Sequence, residues 1–191
     1  MQLNLMNLFD GYVRNYHSFN LTLYHGKHSF TMTEIEYFSR LGSMLGYHPF
    51  TEDTSSSTGR PMDLTWWGRY DEDYWYDLIL HLERENLYKK DEETLEKLFN
   101  EREDIPLNII GIMNVHNQSR MEELVEIAKA KNNSDNALLI FKTNSTGREQ
   151  LYFDEVYAYL LNRSEEVDRK VAHVSDVEGT LFMCFGKRAV L

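Results

Sequence analysis

Apolar residues recur every three or four positions in four parts of the chain, the spacing that predicts amphipathic helices. The four predicted helices cover residues 3–18, 34–45, 91–103 and 118–131. Thr33 and Glu36 have the spacing of a capping box at the start of the second helix, and Gly46 can end that helix. Each helix is therefore expected to place one apolar face on a shared core.

Alternating or short apolar runs bounded by turn residues predict strands between these helices. The predicted strands cover residues 21–24, 62–70, 74–85, 107–113, 137–142 and 179–186. In the strand over 74–85, Leu80 and Leu82 face one side, and Glu83 and Glu85 face the other. Residues 51–60 and 144–147 predict a loop and a turn, 163–170 a charged solvated segment, and 150–162 fits either a strand or a helix.

The order strand, helix, strand over residues 107–142 is typical of a right-handed crossover that joins parallel strands. The sequence thus predicts an α/β fold with a mixed central sheet flanked by helices. Its 191 residues, 42% of them hydrophobic, are sufficient for one domain with a sizeable core, and no repeat or long linker divides residues 1–191.

Charge and segment composition restrict the environment and the partners. No run of 18 apolar residues and no leader-like N-terminus is present, which predicts a cytoplasmic protein with no membrane partner. Twenty Lys and Arg against 31 Asp and Glu give a net charge of −11, which disfavours broad, non-specific nucleic-acid binding. Cys184, the only cysteine, is expected to be a small buried hydrophobe. The composition leaves a homodimer or a protein complex open.

Three carboxylates are predicted to converge where the second and third strands pair. If Asp71-Glu72-Asp73 forms the turn, antiparallel pairing places Asp63 opposite residues 81–83. Cross-strand neighbours have Cβ atoms about 4.5–5.5 Å apart. Asp63, Glu83 and Glu85 can then share one or two hard divalent cations, Mg²⁺ or Mn²⁺, which take oxygen ligands.

The hairpin with Pro61-Met62-Asp63 and Glu83-Arg84-Glu85 resembles the PD-(D/E)XK, or restriction-endonuclease-like, nuclease superfamily over residues 33–142. The resemblance implies a core of helix, three strands, helix, strand, with Asp63 and Glu83 as metal ligands and the Arg84 carbonyl in the metal shell. Glu85 stands where the family usually has lysine, and Lys89, Lys90 or Lys97 could supply that positive charge. Glu36 resembles an auxiliary acidic ligand on the first core helix.

The first functional hypothesis is a nuclease or phosphodiesterase in which a metal-activated water attacks in line. Glu85 would act as a ligand or as a water-orienting base, and Lys89 and Lys90 would bind the substrate. His81 either contacts a substrate phosphate or is a satisfied strand histidine.

Two alternatives stay open at this stage. One is a non-catalytic acidic α/β interaction module, which could be a decayed nuclease fold. The other is a nuclease that acts only inside a complex, where a basic partner supplies the affinity for nucleic acid.

Other clusters give weaker signals. The segment His25-Gly26-Lys27-His28 is predicted to be a loop without the four ligands of a structural zinc site. Aromatic residues around the hairpin could stack on bases or fill the core: Trp66, Trp67, Trp75 and Tyr76. No phosphate-binding glycine loop, nucleophile elbow or dinucleotide fingerprint is present, which disfavours kinases, Ser-His-Asp hydrolases and nicotinamide enzymes.

Overall fold

The computed structural model describes residues 2–55, 60–71, 74–99, 106–143 and 153–186, in which eight strands form one sheet. The helices of this part are α1 (Leu5–Asn15), α2 (Lys27–Met44), α3 (Asp91–Phe99) and α4 (Gln118–Lys131), with 3₁₀ segments at Tyr16–Phe19 and Tyr88–Lys90. The strands are β1 (His48–Asp53), β2 (Met62–Asp71), β3 (Tyr74–Glu85), β4 (Asn108–Val115), β5 (Ala137–Thr143), β6 (Glu155–Asn162), β7 (Glu165–Val177) and β8 (Thr180–Phe185).

The spatial order of the strands is the same as their order in the chain, β1 to β8. The pairs β3–β4 and β4–β5 are parallel, and every other neighbouring pair is antiparallel. Helix α3 lies between β3 and β4 in the chain, and α4 lies between β4 and β5. The predicted α/β class, the mixed sheet and the parallel pairing across 107–142 are therefore confirmed.

Two apolar clusters cover the two faces of the sheet. One contains α1 and α2 with Leu82 of β3 and Ile110 of β4. The other contains α3 and α4 with Ile109 of β4 and Leu139 of β5. Because neighbouring residues of a strand point to opposite faces, Ile109 and Ile110 identify the two sides. The candidate functional site lies at the end of β3, next to α3.

Helix boundaries differ from the sequence prediction at α1 and α2. Helix α2 begins at Lys27 with Gly26 as its N-cap, so the predicted start at residue 34 and the capping box of Thr33 with Glu36 are wrong. The buried stripe extends toward the N-terminus through Phe30, which stabilises two additional turns. Helix α1 ends at Asn15, before the predicted residue 18. The predicted helix beyond residue 99 and the predicted turn at 144–147 lie outside the described residues.

Strand predictions near the hairpin are accurate, whereas those for polar strands are wrong. Residues 21–24 form a turn rather than a strand, although the Leu21 carbonyl accepts a hydrogen bond from Leu181 N at 2.9 Å. Residues 51–53, expected in a loop, belong to β1. Residues 165–170, expected to be only charged and solvated, begin β7 and are largely exposed. The ambiguous segment at 150–162 contains strand β6.

Candidate functional site

The end of the β2–β3 hairpin brings Asp63 and Glu83 together. Leu64 pairs with Leu82, which places Asp63 beside Glu83 across the ladder. The Asp63 backbone N–H lies 3.4 Å from Glu83 Oε1, and the Arg84 backbone N–H donates to Asp63 Oδ2 at 2.7 Å. The prediction that Asp63 and Glu83 are cross-strand neighbours is therefore confirmed.

Lys97 of helix α3 lies against both carboxylates. Its Nζ is 2.5 Å from Glu83 Oε2 and 3.6 Å from Asp63 Oδ1. Leu98, the next residue, is buried in the core, and Gly111 allows the close approach because a Cβ there would lie 2.7 Å from Leu98 Cδ1. The packing of α3 on β4 thus holds one cation beside the carboxylate pair.

His81 supports the other oxygen of Glu83. Its Nε2 lies 2.5 Å from Glu83 Oε1, and its side chain has no exposed surface. A side chain that is fully buried does not reach a substrate phosphate in this conformation. The structure therefore favours the satisfied strand histidine over the substrate contact.

A polar cavity of about 230 Å³ opens over this pair. It is lined by Asp63, Glu83, Arg84, Glu85, Lys90, Glu93, Thr94 and Lys97. This volume is below that of pockets for drug-sized ligands, which is about 300–1,000 Å³, and it suits small charged groups. Carboxylate and ammonium groups on the same wall can contact both a cation and an anion that enter together.

Burial and the neighbouring charge of Glu83 together raise the pKa of Asp63 above its ordinary value. Two carboxylates that share a partly desolvated position each disfavour the ionised form of the other. A cation between them removes that repulsion, and Lys97 already supplies one positive charge. The electrostatics of the cavity thus favour a positive ligand at Asp63 and Glu83.

The residues present fit a hard divalent cation held by two carboxylates. Mg²⁺ commonly binds one or two protein carboxylates and completes its shell with water and substrate phosphate. Within the described residues, no group of three or more His, Cys, Asp or Glu side chains is arranged to hold a metal ion. Glu85 lines the same cavity, but its Oε1 accepts from Leu87 N at 2.7 Å. Glu85 is thus tied to the turn that follows β3.

The remaining predicted site residues lie in different surroundings. Glu36 is 59% exposed on α2 and forms an ion pair with Arg40, so its assignment as a ligand rests on the resemblance alone. Lys89 and Lys90 are exposed in the 3₁₀ segment after β3, and Lys90 lines the cavity. Cys184 is partly exposed rather than buried.

The aromatic and histidine clusters also have defined positions. Trp66 and Trp67 are buried, so they fill the core and are not available to stack on bases. Lys27 and His28 begin α2 instead of continuing the predicted loop. The side chains of residues 75 and 76 lie outside the described part.

A cluster of buried charged residues, which the sequence did not predict, lies behind the site. Glu34 of α2 contacts Arg84 on one carboxylate oxygen, and on the other it contacts Lys142 and accepts from Tyr12 Oη at 2.7 Å. Arg84 also donates to Asn114 Oδ1 at 3.1 Å. Glu34 sits in the stripe of Phe30 and Phe38 at four-residue spacing, which is the signal that could have identified it.

This cluster fixes the strand that carries the site. The Arg84 guanidinium is anchored on Glu34 on one face of the sheet, while Glu83 meets Lys97 on the other. Burial lowers the pKa of Arg84 and of Lys142, because a low-dielectric environment disfavours their charged forms. The carboxylate of Glu34 opposes this effect by contacting both cations.

No family model, curated protein or solved structure matches the chain. Among the helices of the described residues, none has the length and apolar character needed to cross a membrane.

Proposed function

We propose that the protein is a metal-dependent nuclease or phosphodiesterase of the restriction-endonuclease-like class. The observation that carries the proposal is the convergence of Asp63, Glu83 and Lys97 on one polar cavity. The order α2, β1, β2, β3, α3, β4 supports it, because it is the order of helix, three strands, helix and strand implied by the resemblance.

Asp63 and Glu83 would hold Mg²⁺ or Mn²⁺ in this proposal. Such a cation, when bound, would polarise the phosphoryl oxygens and lower the pKa of a coordinated water. His81 orients Glu83, and the Arg84 backbone N–H orients Asp63. The two carboxylates are thus held in place before a ligand enters.

Lys97 takes the role of the lysine that is missing at position 85. Its ammonium group lines the cavity next to the carboxylates, where it can contact a non-bridging phosphate oxygen and stabilise the developing charge. Lys90, in the 3₁₀ segment directly before α3, brings a second ammonium group to the same cavity. Glu85 and Glu93 are the further carboxylates of the cavity, and Glu85 is the one proposed to orient a water molecule.

The test is calorimetric titration of the protein with Mn²⁺, paired with an assay for cleavage of labelled DNA and RNA in Mg²⁺ or Mn²⁺. The proposal requires saturable binding and cleavage that stops when EDTA is added. Absence of heat at millimolar Mn²⁺ would contradict it.

Replacing Lys97 with methionine separates the two roles of this lysine. We expect Mn²⁺ to bind the variant more tightly, because the ammonium group no longer competes for the same carboxylate oxygens. We expect the rate of cleavage to fall by about 10²–10⁴-fold, which is the usual contribution of a positioned proton-transfer or charge-stabilising group. Lys131→Met on α4 is the matched control. Lower Mn²⁺ affinity in Lys97→Met would contradict this role.

One observation favours a second candidate, a non-catalytic acidic interaction module. Lys97 already neutralises part of the carboxylate pair, and the chain carries a net charge of −11. In that case the carboxylates and Lys97 form a structural ion-pair network that needs no metal. The same Mn²⁺ titration distinguishes the two candidates, since a module of this kind would release no binding heat.

A further inference from the structure

Two aromatic rings meet beside the cavity, at the ends of neighbouring parallel strands. Tyr88 follows β3 and His116 follows β4, and their ring centroids lie 3.9 Å apart at an interplanar angle of 27°. Tyr88 is half-buried and His116 is exposed. The stack therefore presents an aromatic surface to solvent at the carboxyl ends of parallel strands, where α/β proteins commonly bind ligands.

Three lysines lie close to Tyr88 in space or in sequence, although the chain as a whole is acidic. Lys27 Nζ lies 5.7 Å from the centroid of the Tyr88 ring. Lys89 and Lys90 follow Tyr88 directly in the 3₁₀ segment, and all three lysines are exposed. A concentration of ammonium groups around an aromatic stack is the chemistry that recognises a base together with its phosphates.

Two asparagines, each two residues before one of the rings, connect the ends of β3 and β4 to α2. Asn86 Nδ2 donates to the Lys27 carbonyl at 2.9 Å and also contacts Thr31 Oγ1, which fixes the start of α2. Asn114 Nδ2 reaches Asn86 Oδ1 at 3.3 Å, which connects the end of β4. The chain segments that carry the two rings are therefore connected to each other and to α2.

We propose that Tyr88, His116, Lys27 and Lys89 form a binding surface for single-stranded nucleic acid. This proposal rests on the proposed function only for the cleavage that would follow binding. A base stacks on the ring pair, and the adjoining phosphates pass Lys90 into the cavity that contains Asp63 and Glu83. Unpaired strands are the favoured class because their base faces are free to stack, whereas those of a duplex are covered by neighbouring pairs.

Binding is measured by fluorescence anisotropy with labelled oligothymidylate, the matching oligouridylate and a labelled duplex of the same length, all in EDTA. We expect both single strands to bind more tightly than the duplex. Tyr88→Leu should weaken single-strand binding by about 5- to 100-fold, the range that loss of one base–aromatic stack produces. Tyr88→Phe, which keeps the ring, should retain the affinity.

Matched variants give the remaining controls. Tyr157→Leu removes another partly buried tyrosine, on β6, and should bind as the wild type does. Lys27→Ala should reduce the dependence of affinity on salt concentration, because one phosphate contact is lost. Wild-type affinity in Tyr88→Leu, equal affinity for duplex, or no single-strand binding by the wild type would each overturn the proposal.

Failure of this surface and failure of the proposed function give different results. If Tyr88→Leu loses affinity in EDTA while no metal-dependent cleavage occurs, the binding surface stands and the nuclease does not. If the wild type cleaves and Tyr88→Leu binds and cleaves equally well, the nuclease stands and the ring surface is wrong.

Discussion

Replacing Glu83 with glutamine is expected to weaken Mn²⁺ binding by at least about 100-fold and to reduce cleavage to background. This loss exceeds the one observed when a residue that only hydrogen-bonds to a metal ligand is replaced. Glutamine keeps the size of the side chain but removes the negative charge that attracts the cation. It also leaves the ammonium group of Lys97, 2.5 Å from Glu83 Oε2, without its main counter-charge. Titration calorimetry and the initial rate of cleavage measure the two effects.

The control for this substitution is Glu96→Gln on α3, where the carboxylate is 59% exposed and forms an ion pair with Lys131. Because Glu83 is buried, its replacement also affects folding, so circular dichroism must accompany each measurement. Asp63→Asn, at a side chain that is 22% exposed, should give the same loss of metal with less effect on the fold. Mn²⁺ affinity unchanged in both variants would exclude the proposed metal site.

Replacing Glu34 with glutamine should produce the largest change in stability. Glu34 is fully buried and compensates the cations of Arg84 and Lys142. Removing one partner of a buried ion pair leaves an uncompensated charge and costs about 3–5 kcal/mol. For a domain of this length we expect the melting temperature to fall by about 6–20 °C. Urea denaturation and thermal melting measure the loss.

Glu36→Gln provides the matched control on the same helix, because this exposed glutamate forms a surface ion pair with Arg40. Its substitution should change the free energy of unfolding by less than about 0.5 kcal/mol. Lys142→Met leaves Glu34 paired with Arg84 and should cost less than Glu34→Gln. A Glu34→Gln variant as stable as Glu36→Gln would show that the buried carboxylate is not needed to compensate these cations.

The sequence was most informative where hydrophobic periodicity was strong. The ends of strand β3, helix α4 and strand β5 were predicted to within about a residue, because a strong hydrophobic period marks where such elements begin and end. The hairpin turn predicted Asp63 opposite residues 81–83. A β-bulge between Trp66 and Trp67, which the sequence did not predict, sets the partner as Glu83.

The elements that were missed carry polar residues in ordered positions. Strand β7 begins with charged, exposed residues, and β1 is mostly exposed, so neither shows the alternation that predicts a strand. Glu34 and Lys142 are charged residues in the core, and only the contact between elements distant in the chain makes such burial favourable. The Lys97 contact likewise depends on how α3 packs, which no local pattern specifies.

The N-terminal helix packs against the last strand, and this affects the order in which the chain can fold during synthesis. Strands β1 to β8 can pair one after another as they emerge, since each neighbour in space is a neighbour in the chain. The ring of Phe9, however, meets that of Phe185 edge to face, and Asp10 binds Lys170 of β7 at 2.7 Å. Part of the apolar side of α1 therefore stays exposed until β8 has formed, so this helix completes its packing only after the neighbouring strands have paired.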